Sequence, residues 1–217
     1  LDPSFTYYAK DITYNEKACG RFSVYKNGEK LGEVALSVPG EHNVYNSLAA
    51  IAVTEKMGIS LEDIIHGLSI FGGAKRRFEL KGKVNGITVI DDYAHHPTEI
   101  EATLHAAKNY PHGRLICVFQ PHTYSRTKAF LKDFAKALSL ADIVVLADIY
   151  AAREKNTIGI SSTAILDELK AIGTESYYFP SFGEIEDFLL ENCVNNDLLI
   201  TMGAGDIYTV GEHLLGQ

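Results

Sequence analysis

Two carboxylates, a phenol and two imidazoles fall within one decapeptide, Ile90-Asp91-Asp92-Tyr93-Ala94-His95-His96-Pro97-Thr98-Glu99. Upstream, residues 86–90 read as a strand. Downstream, Pro97 takes a first-turn position, and Thr98 and Glu99 open an amphipathic helix. A strand-to-helix junction of this kind is where open α/β sheets bind ligands. Asp92, at the strand end, is placed to accept hydrogen bonds from ribose hydroxyls, with Tyr93 and His95 alternating to the other side of the chain. A zinc site built from His95, His96 and His122 is a second use of the same residues, although no HExxH-type spacing or cysteine ligand accompanies them. Histidines capping a buried strand end are a third.

Four further clusters carry comparable groups. In Gly40-Glu41-His42-Asn43-Val44-Tyr45-Asn46, His42 and Asn46 share one face of a helix start. An asparagine amide offers a donor and an acceptor together, as an adenine edge requires; capping of the helix by Asn43 is the competing use. Arg76-Arg77-Phe78-Glu79 presents a planar fork suited to a phosphate, or a solvated basic turn beside its own glutamate. In Gln120-Pro121-His122-Thr123-Tyr124-Ser125-Arg126, Arg126 stands near a helix start, where it can hold a carboxylate with help from backbone N–H groups. An N-cap in Ser125-Arg126-Thr127 is the alternative. Gly203-Ala204-Gly205-Asp206 allows an anion close to the backbone, yet lacks the third glycine and downstream acid of a dinucleotide fingerprint.

The elements that must position these groups follow from periodicity. Residues 19–38 alternate as strands around an Asn27-Gly28 hairpin turn. A helix is expected over 43–57, stopped by Gly58, and a second runs to about Phe71 from a weak Ser60/Asp63 capping box. Gly72-Gly73 marks the expected domain boundary, with Lys75-Arg76-Arg77 at the seam. Beyond it, a hairpin at Asn85-Gly86 leads into short apolar runs at 115–120, 143–148, 177–179 and 198–202, separated by helical patterns. Such alternation predicts an α/β fold: a Rossmann-like, mostly parallel sheet with helices on both faces and its polar clusters at the carboxyl ends of the strands.

Composition bounds the partners. The 217 residues, 46% hydrophobic, suffice for two domains with buried cores. A net charge of -8 without a basic tail argues against nucleic acid or an acidic membrane, so an anionic ligand must meet a local basic cluster. The three cysteines, Cys19, Cys117 and Cys193, are odd in number and far apart, which predicts reduced thiols in a cytoplasmic protein rather than a disulfide framework. No run approaches a membrane span and no signal peptide is recognised. The opening Leu1-Asp2-Pro3 in place of methionine suggests a fragment or a processed chain.

Taken in order, the segments 39–46, 76–79, 91–99, 118–127 and 203–206 resemble the Mur ligases. Within that family, His95-His96-Pro97-Thr98-Glu99 and Gln120-Pro121-His122 are similar to the members that join L-alanine to UDP-N-acetylmuramate. The resemblance implies an ATP-dependent amide-forming enzyme of peptidoglycan precursor synthesis with three domains, working through an acyl phosphate that the alanine amine attacks. Residues 1–75 would be the last part of the P-loop-type ATPase domain, and 76–217 the complete Rossmann-like domain. By the same resemblance, Asn43 and Asn46 would hold the adenine and Asp92 the ribose, with His42 also at the ATP site. Arg77 would meet the γ-phosphate after domain closure. Tyr93, His95, His122 and Arg126 would face the alanine or the acyl centre, with Arg77, His95 and His122 the catalytic groups. Some relatives carry a second arginine where Thr123 stands. No Gly-Lys-Thr or Gly-Lys-Ser loop is present; the resemblance implies that the family's magnesium ligands also lie outside this chain, and the chain alone is expected to be inactive. A murein-peptide recycling ligase of the same superfamily and a non-catalytic nucleotide or amino-acid binding module are the alternatives.

Overall fold

The computed structural model describes residues 2–217; Leu1, with which the expected first domain opens, lies outside the described residues. The chain divides into two compact units, one reaching to Ala74 and including Asn109–Pro111, the other comprising Lys75–Lys108 and His112–Gln217.

The first unit is an antiparallel sheet of β1 (Tyr7–Tyr14), β2 (Cys19–Lys26) and β3 (Glu29–Pro39), in that order, followed by α1 (Glu41–Lys56) and α2 (Leu61–Ile70). Asn27 and Gly28, at φ 48° and 90°, form the tight turn between β2 and β3, whose left-handed residues match the twist of the strands they join. Phe22, Val24, Val34, Leu36 and Val38 alternate inward to meet Val44, Leu48 and Ile51 of α1 and Ile64 of α2. Ser60 caps α2 by accepting from Asp63 N at 3.2 Å. β1 is absent from the alternation read in the sequence, because two residues, Asp11 and Ile12, bulge out of its ladder between Lys10 and Thr13, with Asp11 at φ 54°. A bulge inverts the period-2 pattern halfway along the strand.

In the second unit, β4 (Glu79–Val84), β5 (Ile87–Asp92), β6 (Leu115–Phe119), β7 (Ile143–Leu146), β8 (Glu175–Tyr178) and β9 (Leu198–Met202) form a sheet in the order β4-β5-β9-β6-β7-β8. All pairs are parallel except β4 with β5, whose hairpin turn is Asn85-Gly86 at φ 49° and 80°. α7 (Phe182–Asn192) and α8 (Tyr208–Leu214) cover one face through Ile185, Leu189 and Val210, which pack with Ile116, Val118, Val145 and Leu199. On the other face Phe134 of α5 (Leu131–Leu138) meets Phe119 of β6 at 5.6 Å between ring centres. α3 (Pro97–Lys108) and α6 (Thr163–Ala171) pack beside α5. This is the mixed, mostly parallel α/β sheet that the alternation predicts. Because β5, β9, β6 and β7 run parallel and side by side, the loops that follow them open along one edge.

Candidate functional site

At that edge, the decapeptide divides between strand and loop differently from the sequence expectation. β5 extends to Asp92, so both aspartates belong to the strand. Asp91 is 0% and Asp92 5% exposed. Asp92 accepts from Phe78 N at 2.8 Å and Ala94 N at 2.7 Å. Burial pushes its carboxyl above the usual range, against the pull of these bonds, of Thr103 and of nearby Arg77. Asp92 therefore builds the turn as well as ending the strand, and a ribose hydroxyl would join the donors from Phe78, Ala94 and Thr103 at its small exposed surface.

The two histidines part company. His96 opens α3: its Nδ1 accepts from Thr98 N at 3.3 Å, and its ring packs edge-on to Phe130 at 4.8 Å. Glu99 completes a capping arrangement, accepting from His95 N at 3.0 Å and His96 N at 3.2 Å. Burial raises the Glu99 carboxyl, but these N–H groups and the charges near it outweigh that, and its pKa lies below the usual range. His95 turns the other way. Its Nδ1 lies 3.0 Å from Tyr93 O, a carbonyl that can only accept, so the neutral ring carries its proton on Nδ1 and leaves the Nε2 lone pair free. The His95 ring stands 5.4 Å from Tyr93 and 5.7 Å from His122. The three histidines thus do not converge as the zinc alternative requires, and no group of three or more His, Cys, Asp and Glu suited to a metal occurs among the described residues.

The segment after β6 is where burial and bonding disagree. Gln120 Oε1, His122 Nδ1 and Arg126 Nη1 are buried without a hydrogen-bond partner. Unpaired buried polar atoms cost about 1–3 kcal/mol each, and native chains carry few. His122 stacks on Tyr150 at 5.6 Å. Burial, then Arg126 and His95, hold its pKa below 6.5, so its ring is neutral at neutral pH. Thr123, at φ 67°, turns the chain into α4 (Tyr124–Ala129), and its N–H bonds Tyr150 O at 2.9 Å. Ser125 is not a cap: its N–H and Oγ both bond Glu154. Arg126 is the third residue of this single short turn. Across from it, Gly203 and Gly205 lie in a loop ahead of α8 rather than at its first turn. A Cβ on Gly205 would fall 2.2 Å from Gln120 Oε1 and 2.9 Å from the Tyr150 ring. Gln120, Tyr150 and Glu154 had no assigned role in the sequence; only their position after parallel strands pointed to them.

Arg77 is exposed, and its charge reaches Asp92 and Glu99, opposing the rise of the first carboxyl and adding to the fall of the second. Arg76 is not a solvated turn residue: it pairs with Asp91 at 2.9 Å.

In the first unit, α1 starts at Glu41, two residues before the expected Asn43, with Gly40 at φ 94° as its N-cap and no side-chain cap. Asn43 reaches back instead, donating Nδ2 to Pro39 O at 2.7 Å and accepting from Asn46 Nδ2 at 3.1 Å. Asn46 itself is exposed. Both asparagines line a cavity of about 440 Å³ whose other walls include Leu36, Val38, Ile59, Leu68 and Phe71. His42 is half-buried at the start of the same helix.

The family described as "Mur ligase, glutamate ligase domain" matches residues 76–205. A UDP-N-acetylmuramate–L-alanine ligase of Agathobacter rectalis is 64% identical over 215 residues, covering 99% of this chain and 47% of the relative. One of Caldanaerobacter subterraneus is 53% identical, covering 96% and 45%. The chain thus spans about half the length of the curated relatives it matches. Among solved structures, the UDP-N-acetylmuramate–alanine ligase of Thermotoga maritima superposes with a TM-score of 0.82 at 34% identity, over 97% of this chain and 45% of that one. A murein peptide ligase of Psychrobacter arcticus gives 0.68 at 28%, over 100% and 45%. No helix among the described residues is long and apolar enough to cross a membrane. Sequence motifs, sheet order and these likenesses agree, and the chain belongs to the Mur ligases.

Proposed function

We propose that this chain is the amino-acid-binding part, with the adjoining end of the ATP-binding part, of a cytoplasmic ligase that joins L-alanine to UDP-N-acetylmuramate in peptidoglycan precursor synthesis. In this reading residues 1–75 belong to the ATP-binding domain and 76–217 to the C-terminal domain. The observation that carries it is the trio of buried unpaired atoms after β6. A zwitterionic amino acid complements them, its carboxylate on the Arg126 guanidinium and its amine facing the acceptors Gln120 Oε1 and the His95 Nε2 lone pair. The high identity to alanine ligases, above that to the peptide ligase, favours alanine over a peptide.

The reaction needs an activated acyl group, because a carboxylate is a poor electrophile with a poor leaving group. Phosphoryl transfer from ATP to the muramate carboxylate supplies it, releasing ADP, and exposed Arg77 is the candidate for the charge on the transferring group. As the amine attacks the acyl carbon, phosphate leaves with the C–O bond electrons and takes the second nitrogen proton, but that amine forms only once the bound ammonium has passed its first proton to a neutral imidazole. His95 is suited to take it, with its proton fixed on Nδ1 by Tyr93 O. His122 and Tyr93 wall the subsite, and neutral His122 adds no charge beside Arg126. The mostly apolar cavity with the Asn46 amide group in its lining fits adenine, with Asn43 holding Asn46 and His42 alongside. No group of three or more His, Cys, Asp and Glu that could hold magnesium occurs among the described residues.

The test is initial-rate kinetics of the intact enzyme with L-alanine and with a peptide substrate, in parent and Arg126→Ala forms. Removing one partner of a buried charge pair costs about 2–5 kcal/mol, so kcat/KM for alanine should fall at least about 30-fold; unchanged alanine use would sink the assignment. This chain alone, without a phosphate-cradling loop, is expected to give no alanine-dependent ATP hydrolysis.

A further inference from the structure

The amino-acid reading leaves one ion pair without a role, a buried aspartate with a partly buried arginine. Asp91, with no exposed surface, accepts from Arg76 Nε on Oδ2 at 2.9 Å and from Thr201 Oγ1 on Oδ1 at 2.9 Å. The same guanidinium donates from Nη2 to Gly203 O at 2.7 Å. It lies between two rings, 4.9 Å from the centre of Tyr93 and 4.6 Å from that of Tyr208. The Arg76 backbone is engaged as well: its carbonyl accepts from Tyr93 N at 2.7 Å and its N–H donates to Glu79 Oε2 at 2.7 Å, with φ at 57°. One side chain therefore grips the ends of β5 and β9 and the start of α8.

Stability is a weak reason for such a pair, because desolvating two charges offsets most of their attraction and apolar residues of equal volume often serve as well. Direction is the better reason. A planar guanidinium can hold a carboxylate, a carbonyl and two ring faces at fixed angles, which neither lysine nor a hydrophobe does. The groups it holds border the subsite. Gly203 has room for no side chain, since a Cβ there would fall 2.8 Å from Gln120 O. Tyr93 carries the carbonyl that fixes the His95 proton.

We propose that Arg76 is a positioning residue for the amino-acid subsite, setting the Gly203–Gly205 backbone against Gln120 and Tyr150 and holding Tyr93 so that His95 Nε2 faces the amine. The proposal rests on the amino-acid reading of this edge. It requires no contact between Arg76 and substrate.

The test compares Arg76→Met and Arg76→Lys with the parent in the intact enzyme, measuring KM for alanine, KM for ATP, kcat and the urea midpoint. Arg76→Met is expected to raise KM for alanine about tenfold or more, with KM for ATP within twofold, and to lower the urea midpoint because buried Asp91 loses its partner. Arg76→Lys, which keeps the Asp91 pair but not the fork, should recover part of that loss. Parental KM for alanine in both variants, or a loss shared equally by both substrates and tracking the midpoint, would overturn the proposal. Should Arg76→Met fail to fold, Tyr208→Leu removes one stacking face and leaves the ion pair. A selective rise of about threefold in KM for alanine supports the proposal there, and a parental value refutes it. Arg126→Ala separates the two ideas: if it leaves alanine use intact, the amino-acid reading fails. If it abolishes alanine use while the Arg76 variants stay parental, only the positioning role fails.

Discussion

The two units handle their polar groups in opposite ways. In the first, Asn43 uses its amide nitrogen on Pro39 O and its oxygen on Asn46, and the cavity beside them is mostly apolar. In the second, Gln120, His122 and Arg126 each keep a buried atom unpaired within seven residues of sequence. The first arrangement suits a flat, largely apolar ligand read by one amide edge. The second suits a small ligand with its own donors and acceptors, because only such a ligand relieves the cost of burial without partners.

The contrast can be broken most severely at Gly205. Gly205→Ala drives a methyl group into Gln120 and Tyr150, and overpacking of this kind costs about 1–3 kcal/mol; a lowered urea midpoint of this chain together with lost alanine use in the intact enzyme is the expected pair of results. A parental midpoint would mean that the loop has more slack than its contacts allow. Next in size is Asn46→Ala, which removes an amide from the cavity wall. KM for ATP should rise about tenfold, the equivalent of ~1.4 kcal/mol, with alanine binding and thermal stability unchanged. Gly67, inside α2, provides the complement to Gly205: nothing lies within 4 Å of a Cβ there. Gly67→Ala should stabilise the chain by roughly 0.5–1 kcal/mol through helix propensity, and destabilisation would show that the cavity wall is tighter than it looks.

The smallest effect is a titration. His122 is held below 6.5 by burial first and by Arg126 and His95 next. A histidine whose folded pKa is lowered contributes stability that is present above its unfolded value and lost as pH falls through the folded one. NMR titration of the His122 ring should therefore give a midpoint below 6.5, moving upward in Arg126→Ala. A midpoint at or above 6.5 in the parent would remove the argument for a neutral ring beside the arginine.

Local chemistry made much of this legible. The Asn27-Gly28 and Asn85-Gly86 turns, the Ser60 cap and the apolar runs at β6, β7 and β9 fall where residue type alone puts them, within a residue or two. What failed were features whose local signal is cancelled by a distant partner. β1 lost its alternation to a bulge opposite Phe22. α1 begins before Asn43 because Gly40 supplies the turn and Asn43 folds back on Pro39. His95 and His96 are adjacent and chemically identical, yet one caps α3 and the other faces His122. Nothing in the dipeptide says which.

Sequence by itself determined the chemical inventory, the alternation of strands and helices, and thereby the single edge on which the polar clusters of the second unit fall, since parallel strands must end on the same side. Tertiary structure alone decided which member of each cluster is available. Asp92 and Arg76 look like ligand-facing charges in a string of letters, but neighbours more than ten residues away claim them: Phe78 N for the aspartate, Asp91 and Gly203 O for the arginine. Availability is what remains after every buried donor and acceptor has found or failed to find a partner, and that sum exists only once the chain has folded.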